Sequence, residues 1–117
     1  MDEIMLQRLE EAGVDVDGVF ERFMGNTSLL RKFLLKFPSD GNYAELAEGL
    51  RTGEIDKAFH AAHNLKGVCG NMSFVSLQCV VSEMTELLRA GALEAARRKM
   101  PEVKTEYTQI VTMIHNL

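Results

Sequence analysis

Apolar residues recur along most of the chain at intervals of three and four residues, the spacing of one face of an α-helix. The alternation of apolar and polar residues that indicates a half-buried strand is not sustained anywhere in the sequence. Glycine, proline and short polar runs divide this pattern into segments. The predicted helices span about residues 2–12, 16–25, 28–37, 43–53, 54–72, 73–91 and 92–115. The pattern therefore predicts an all-α fold.

The ends of several predicted helices carry recognisable capping residues. One residue of the polar run 26–28 is expected to cap the third helix, and Ser73 is expected to cap the sixth. The run Pro38-Ser39-Asp40-Gly41 should either kink the chain or break the helix before it. Pro101 should likewise kink or divide the last helix. In the first helix, Ile4, Met5 and Leu9 are expected to share one apolar face.

The length of 117 residues suits one domain with a single core. The helix lengths and short connections are typical of an antiparallel bundle. We expect residues 1–37 to form additional short N-terminal helices and residues from about 40 to 115 to form the bundle. The start at Met1 and the lack of flanking linkers favour a stand-alone module, with a monomer as the default.

Charge and composition exclude several classes of function. The net charge is −4 and no basic block occurs, so binding to nucleic acid is not expected. No apolar run approaches the ~18 residues that span a bilayer, and the sequence does not open with a signal peptide. The cysteines, Cys69 and Cys79, form no CxxC pair and lie in apolar stretches, which predicts reduced, buried thiols in a cytoplasmic protein.

The predicted fifth helix has two contrasting faces. Its apolar face consists of small and aliphatic residues: Ala58, Ala61, Ala62, Leu65, Val68, Cys69 and Met72. The opposite face consists of His60, His63, Lys66, Gly67, Gly70 and Asn71. A glycine inside a helix costs roughly 1 kcal/mol relative to alanine, so two glycines on a polar face need an explanation. For Gly70 a fraying helix end or a tight helix crossing is as good an explanation as function.

Gly67 lies one turn after His63 on the same face, and its missing side chain clears the surface beside the imidazole. Lys66, three residues after His63, can bring its ammonium group close to the ring. An accessible imidazole can attack phosphorus through a ring nitrogen while a neighbouring cation neutralises the phosphoryl oxygens. The three residues together predict phosphoryl transfer.

The run His63-Asn64-Leu65-Lys66-Gly67 follows Ala61-Ala62 and precedes Gly70-Asn71-Met72. It resembles the signature of histidine-containing phosphotransfer (HPt) domains, roughly A-H-x-L-K-G with a G-N-L-G-like ending. The resemblance extends to Gly53, ten residues before the histidine, and to Leu87-Leu88-Arg89 before Gly91. Asn64 departs from the usual threonine or serine, and Ser73 stands where a glycine often follows. These departures bear on partner fit more than on the chemistry.

The resemblance implies an antiparallel four-helix bundle with extra N-terminal helices. It implies that His63 is the phosphoacceptor, that Lys66 stabilises the phosphoryl group, and that Gly67 provides steric clearance, with His60, Gly70 and Asn71 as possible supporting residues. The protein would be a phosphohistidine carrier in a phosphorelay and would have no kinase activity or nucleotide site of its own. Receiver domains, and also a histidine kinase, would be its partners. The receiver would supply Mg²⁺, so the chain would need no cofactor or metal.

Two other interpretations compete with this one. His60 and His63 form an H-x-x-H pair that could be half of a metal site, but no second histidine-rich segment supplies further ligands. A helical adaptor that binds signalling partners without chemistry would explain the apolar spacing equally well, but it leaves the polar face of the fifth helix unexplained. Ser76 and Gln78 are candidate partner contacts, for which simple solvent exposure is the commoner explanation.

Overall fold

The structure, a computed structural model, describes residues 3–117. In that range the elements are α1 (Glu3–Glu11), α2 (Val16–Arg22), α3 (Thr27–Lys36), a 3-10 turn (Phe37–Ser39), α4 (Asn42–Thr52), α5 (Ile55–Asn71), α6 (Val75–Arg89) and α7 (Leu93–His115). The same residues contain no β-strand and one isolated bridge, between Val14 and Phe74. The all-α prediction is confirmed; Asp2, the predicted start of the first helix, lies outside the described residues.

Helices α4 to α7 form the bundle, and each packs along the next. The start of α7 returns to the end of α4, where Arg97 Nε donates a hydrogen bond to the carbonyl of Leu50 at 2.9 Å. At the opposite end of the same pair, the rings of Tyr43 and Tyr107 approach to 3.8 Å between centroids. α4 and α7 therefore run antiparallel, and the four helices enclose one core.

Left-handed residues end the bundle helices and make the short turns between them. Gly53 follows α4 with φ +78°, and Gly91 follows α6 with φ +74°. Glycine adopts this conformation without the steric cost that a side chain brings, so both helices end where the sequence predicts.

Ser73 has a different role from the predicted one. It adopts φ +54°, and its N–H and that of Phe74 donate to the carbonyls of Gly70 and Cys69. These two hydrogen bonds form a Schellman motif, which ends α5. The prediction that Ser73 caps α6 is therefore wrong, because Phe74 is the N-cap and makes no side-chain cap.

The N-terminal part of the chain is ordered by a helix cap at Asn26 and joined to the bundle by the ring of Phe37. Asn26 caps α3 by accepting a hydrogen bond from the N–H of Leu29 at 3.0 Å, as predicted for the run 26–28. Phe37, in the 3-10 turn, packs edge-on against Phe74 and Tyr107 with centroids 5.1 and 5.7 Å away. The run beginning at Pro38 therefore breaks the helix, whereas α7 continues as one helix through Pro101.

One expectation about burial is wrong, that Cys79 is a buried thiol. In α1, Leu9 is buried, whereas Ile4 on the predicted apolar face is 64% exposed. Cys79 is exposed, and only Cys69 is a buried thiol. Within residues 3–117, no helix is both long and apolar enough to cross a bilayer.

Candidate functional site

Helix α5 lies between α4 and α6 and presents the two faces that its sequence predicts. The predicted apolar residues are buried except for Val68, which is half-buried. On the other face His60, His63, Gly67 and Asn71 are exposed, and Lys66 and Gly70 are half-buried. Small residues on the buried face let the neighbouring helices approach closely, and this packing holds the polar face toward solvent.

The His63 imidazole is open to solvent. Its one ring contact is with Phe59, a turn earlier in α5, at 6.1 Å between centroids and an interplanar angle of 18°. Neither ring nitrogen has a hydrogen-bond or ion-pair partner anywhere in residues 3–117. In its neutral form the ring therefore keeps one nitrogen lone pair available to an incoming group.

Lys66 lies three residues after His63, on the same side of α5, and is half-buried. It forms no ion pair with any residue of the described range. Lys99 of α7, by contrast, forms ion pairs with Glu83 of α6 and with Glu102 of its own helix. The positive charge of Lys66 therefore has no carboxylate partner among the described residues, one turn away from His63 on the same helix.

Gly67 is glycine for no reason that the fold supplies. Its backbone is helical, outside the positive-φ region. Apart from its two chain neighbours and the nearby backbone of its own helix, a Cβ built on it meets no atom of the described residues within 4 Å. Since neither conformation nor packing requires a glycine here, the residue leaves open space beside His63 for another molecule.

The three supporting candidates divide. A Cβ at Gly70 would lie 2.9 Å from Nε2 of Gln78 in α6, the end of a flexible side chain that can move aside, so packing does not strictly require this glycine. His60 is exposed and turns the edge of its ring to Phe59, with centroids 5.5 Å apart. Asn71 is exposed at the last residue of α5. The structure thus gathers His63, Lys66 and Gly67 on one open surface, with His60 at its edge.

Sequence reasoning missed two residues of this surface. Phe59 was left unassigned, although its position four residues before His63 places the two side chains in contact on a helix. Arg89, near the end of α6, places its guanidinium carbon 5.0 Å from the centre of the Phe59 ring. The run Leu87-Leu88-Arg89 extends the resemblance, but no local signal places Arg89 against α5, because that contact depends on the packing of two helices.

The neighbouring groups do not favour other chemistry. No cluster of three His, Cys, Asp or Glu side chains suited to a metal ion occurs in residues 3–117. Burial raises the pKa of the Cys69 thiol to about 12, with a further contribution from the charge of Asp40. A thiol that stays protonated and enclosed in the core is a poor nucleophile.

A protein-family model described as the Hpt domain matches residues 28–113. The match covers more than half of the chain and includes α3 through most of α7, with the His63 surface inside it. No curated protein and no solved structure matched the chain.

Proposed function

The chain belongs to the Hpt domain family, whose members act in phosphotransfer in two-component signalling, and we propose that it carries its phosphoryl group on His63. The observation that carries this proposal is the state of the imidazole. It is exposed and its nitrogens have no partner in residues 3–117. Lys66, which has no ion pair in that range, and Gly67, which leaves open space, follow it by one helical turn.

The reaction is a reversible displacement at phosphorus. A lone pair on a ring nitrogen of neutral His63 attacks the phosphorus of an aspartyl phosphate on a receiver domain. The nitrogen–phosphorus bond forms while the bond from phosphorus to the aspartate oxygen breaks, and the aspartate leaves as a carboxylate. The other ring nitrogen keeps its proton until solvent removes it. In the reverse step the ring takes a proton back from solvent, a carboxylate oxygen of a receiver aspartate attacks phosphorus, and the nitrogen–phosphorus bond breaks to leave neutral imidazole.

Each residue of the surface has a part in this step. Lys66 offsets the negative charge of the phosphoryl oxygens during transfer. Gly67 allows the receiver backbone to approach the imidazole closely enough for an in-line attack. We expect the receiver to supply Mg²⁺ and most of the charge stabilisation, so that this chain acts as a carrier without a cofactor of its own.

The partners follow from the chemistry. A receiver domain is the natural donor and acceptor, and a histidine kinase is an alternative source of the phosphoryl group. We further propose that the carrier acts as a monomer in the cytoplasm, where Cys69 and the exposed Cys79 would stay reduced.

The test is transfer of labelled phosphate from a panel of phosphorylated receiver domains. We expect label that is stable in alkali and labile in acid, present in the wild type and absent from His63→Gln. His115→Gln is the matched control, because His115 is exposed at the far end of α7 and should keep the label. Label that persists in His63→Gln, or receivers that bind without ever transferring phosphate, would overturn the proposal and favour an adaptor.

A further inference from the structure

A chain of contacts runs from the end of α6 to the His63 ring. Glu86 accepts a hydrogen bond from Nε of Arg89 at 3.0 Å. The guanidinium of Arg89 lies over the Phe59 ring at 5.0 Å, and Phe59 stacks nearly parallel to His63. Two antiparallel helices therefore contribute to the surroundings of one exposed imidazole.

The geometry of the stack matters for the reaction. With near-parallel planes and centroids 6.1 Å apart, the two rings are offset rather than stacked face on face, and neither nitrogen of His63 has a hydrogen-bond partner in residues 3–117. The edge-on contact between Phe59 and His60 has the other arrangement, with an interplanar angle of 67°. The His63 contact therefore restricts the orientation of the ring without covering the atom that must attack phosphorus.

His63 has few other restraints. An exposed side chain without hydrogen bonds samples several rotamers, and each non-productive rotamer lowers the fraction of molecules ready to react. Phe59 is half-buried and packs against the hydrophobic core, which limits the movement of its own ring. Arg89 adds a cation–π contact that holds the Phe59 ring from the neighbouring helix.

We propose that Phe59 is a positioning residue, which holds the His63 ring in the orientation from which it is phosphorylated, and that Arg89 acts through Phe59. This inference rests on the proposed function of His63. It assigns part of the reactivity of the imidazole to two residues, Phe59 and Arg89, that do not contact the phosphoryl group and that come from different helices.

The experiment measures phosphorylation of the whole chain in two ways, from a phosphorylated receiver and from phosphoramidate, a small donor that needs no docking surface. Phe59→Leu removes the flat ring, and Phe59→Tyr keeps it. We expect the Leu variant to react about three to ten times more slowly with both donors, because a lost aromatic pair changes rates by about this factor. The Tyr variant should restore the rate. Phe33→Leu is the control, because Phe33 in α3 also contacts one ring, that of Phe23, and one cation, Lys36.

A spectroscopic measurement separates positioning from stability. In the wild type the NMR signals of the His63 ring protons should be displaced by the Phe59 ring current from those of exposed His115. In Phe59→Leu they should move to the His115 position. Arg89→Met should slow phosphorylation less than Phe59→Leu does, and it should have no further effect in the Phe59→Leu background.

The outcomes distinguish this inference from the proposed function. If the wild type takes label from neither donor, the proposed function fails. If the wild type is labelled and Phe59→Leu reacts at the wild-type rate, or its His63 signals do not move, Phe59 does not position the ring and the inference is overturned.

Discussion

Gly49 in α4 and Ala58 in α5 lie in direct contact across the helix pair that holds the candidate site. A Cβ built on Gly49 would stand 2.8 Å from the backbone nitrogen of Ala58 and 2.9 Å from its Cβ. The two backbones can approach this closely only because one residue has no side chain. The packing of α4 against α5 therefore requires a glycine at position 49. At Gly67, nine residues beyond Ala58 in α5, an added Cβ would meet open space.

The two glycines should respond oppositely to alanine. Gly49→Ala forces α4 away from α5, and overpacking of this kind costs typically about 1–3 kcal/mol in the free energy of unfolding. Gly67→Ala adds a residue with higher helix propensity in open space, so we expect a gain of about 1 kcal/mol. Urea denaturation followed by circular dichroism measures both. A destabilised Gly67→Ala variant would show that Gly67 has a structural role after all.

The stabilised Gly67→Ala variant should nevertheless transfer phosphate more slowly. Its methyl group would occupy the surface that a receiver must approach, while a small donor needs no such clearance. We expect slower labelling from a phosphorylated receiver and an unchanged rate from phosphoramidate. Equal rates with the receiver would show that the partner does not approach over Gly67.

Lys66→Met should keep the stability of the protein and lose much of its transfer rate. The methionine retains an apolar stem of similar length, and Lys66 has no ion pair within residues 3–117 to lose, so the free energy of unfolding should change by less than about 0.5 kcal/mol. Removing one charge that stabilises the transition state should slow transfer by about tenfold to a hundredfold. Lys104→Met, on an exposed position of α7, is the control and should transfer normally. Equal rates for the two variants would remove Lys66 from the mechanism.

Much of the fold could be predicted because the relevant signals are local. Helical periodicity, the cap at Asn26 and the glycines at positions 53 and 91 each act within a few residues of where they stand. The two faces of α5 follow from the same periodicity, which is why His63 and Gly67 could be placed on an exposed surface from the sequence alone.

The features that were missed depend on contacts between distant parts of the chain. Cys79 sits among apolar residues in sequence, but the bundle buries only one side of α6 and leaves this thiol outside. The contact of Arg89 with Phe59 requires α5 and α6 to pack at a particular register. A periodic pattern shows which side of a helix is apolar, and it does not show which residue of another helix lies opposite.

The left-handed conformation of Ser73, which ends α5, should lower the stability of the protein. A residue with a side chain pays roughly 1–2 kcal/mol for this conformation, and glycine does not. We expect Ser73→Gly to raise the free energy of unfolding by about 1 kcal/mol, measured by urea denaturation. Ser82→Gly, in the middle of α6, is the control and should lower it, because glycine inside a helix is unfavourable. A destabilised Ser73→Gly variant would mean that the serine side chain contributes more than its conformation costs.

The two cysteines should differ sharply in reactivity. Burial raises the pKa of the Cys69 thiol to about 12, so at pH 8 this thiol stays protonated. The thiolate is the form that reacts, and Cys69 is also enclosed in the core. Iodoacetamide should therefore modify the native protein at Cys79 alone, with one equivalent seen by mass spectrometry, and should modify both residues in guanidinium chloride. Native Cys79→Ser should take up no reagent at all. Rapid alkylation of Cys69 in that variant would show that the core around α5 opens readily. A rigid α5 would then no longer explain how His63 is held on the outer face of this helix.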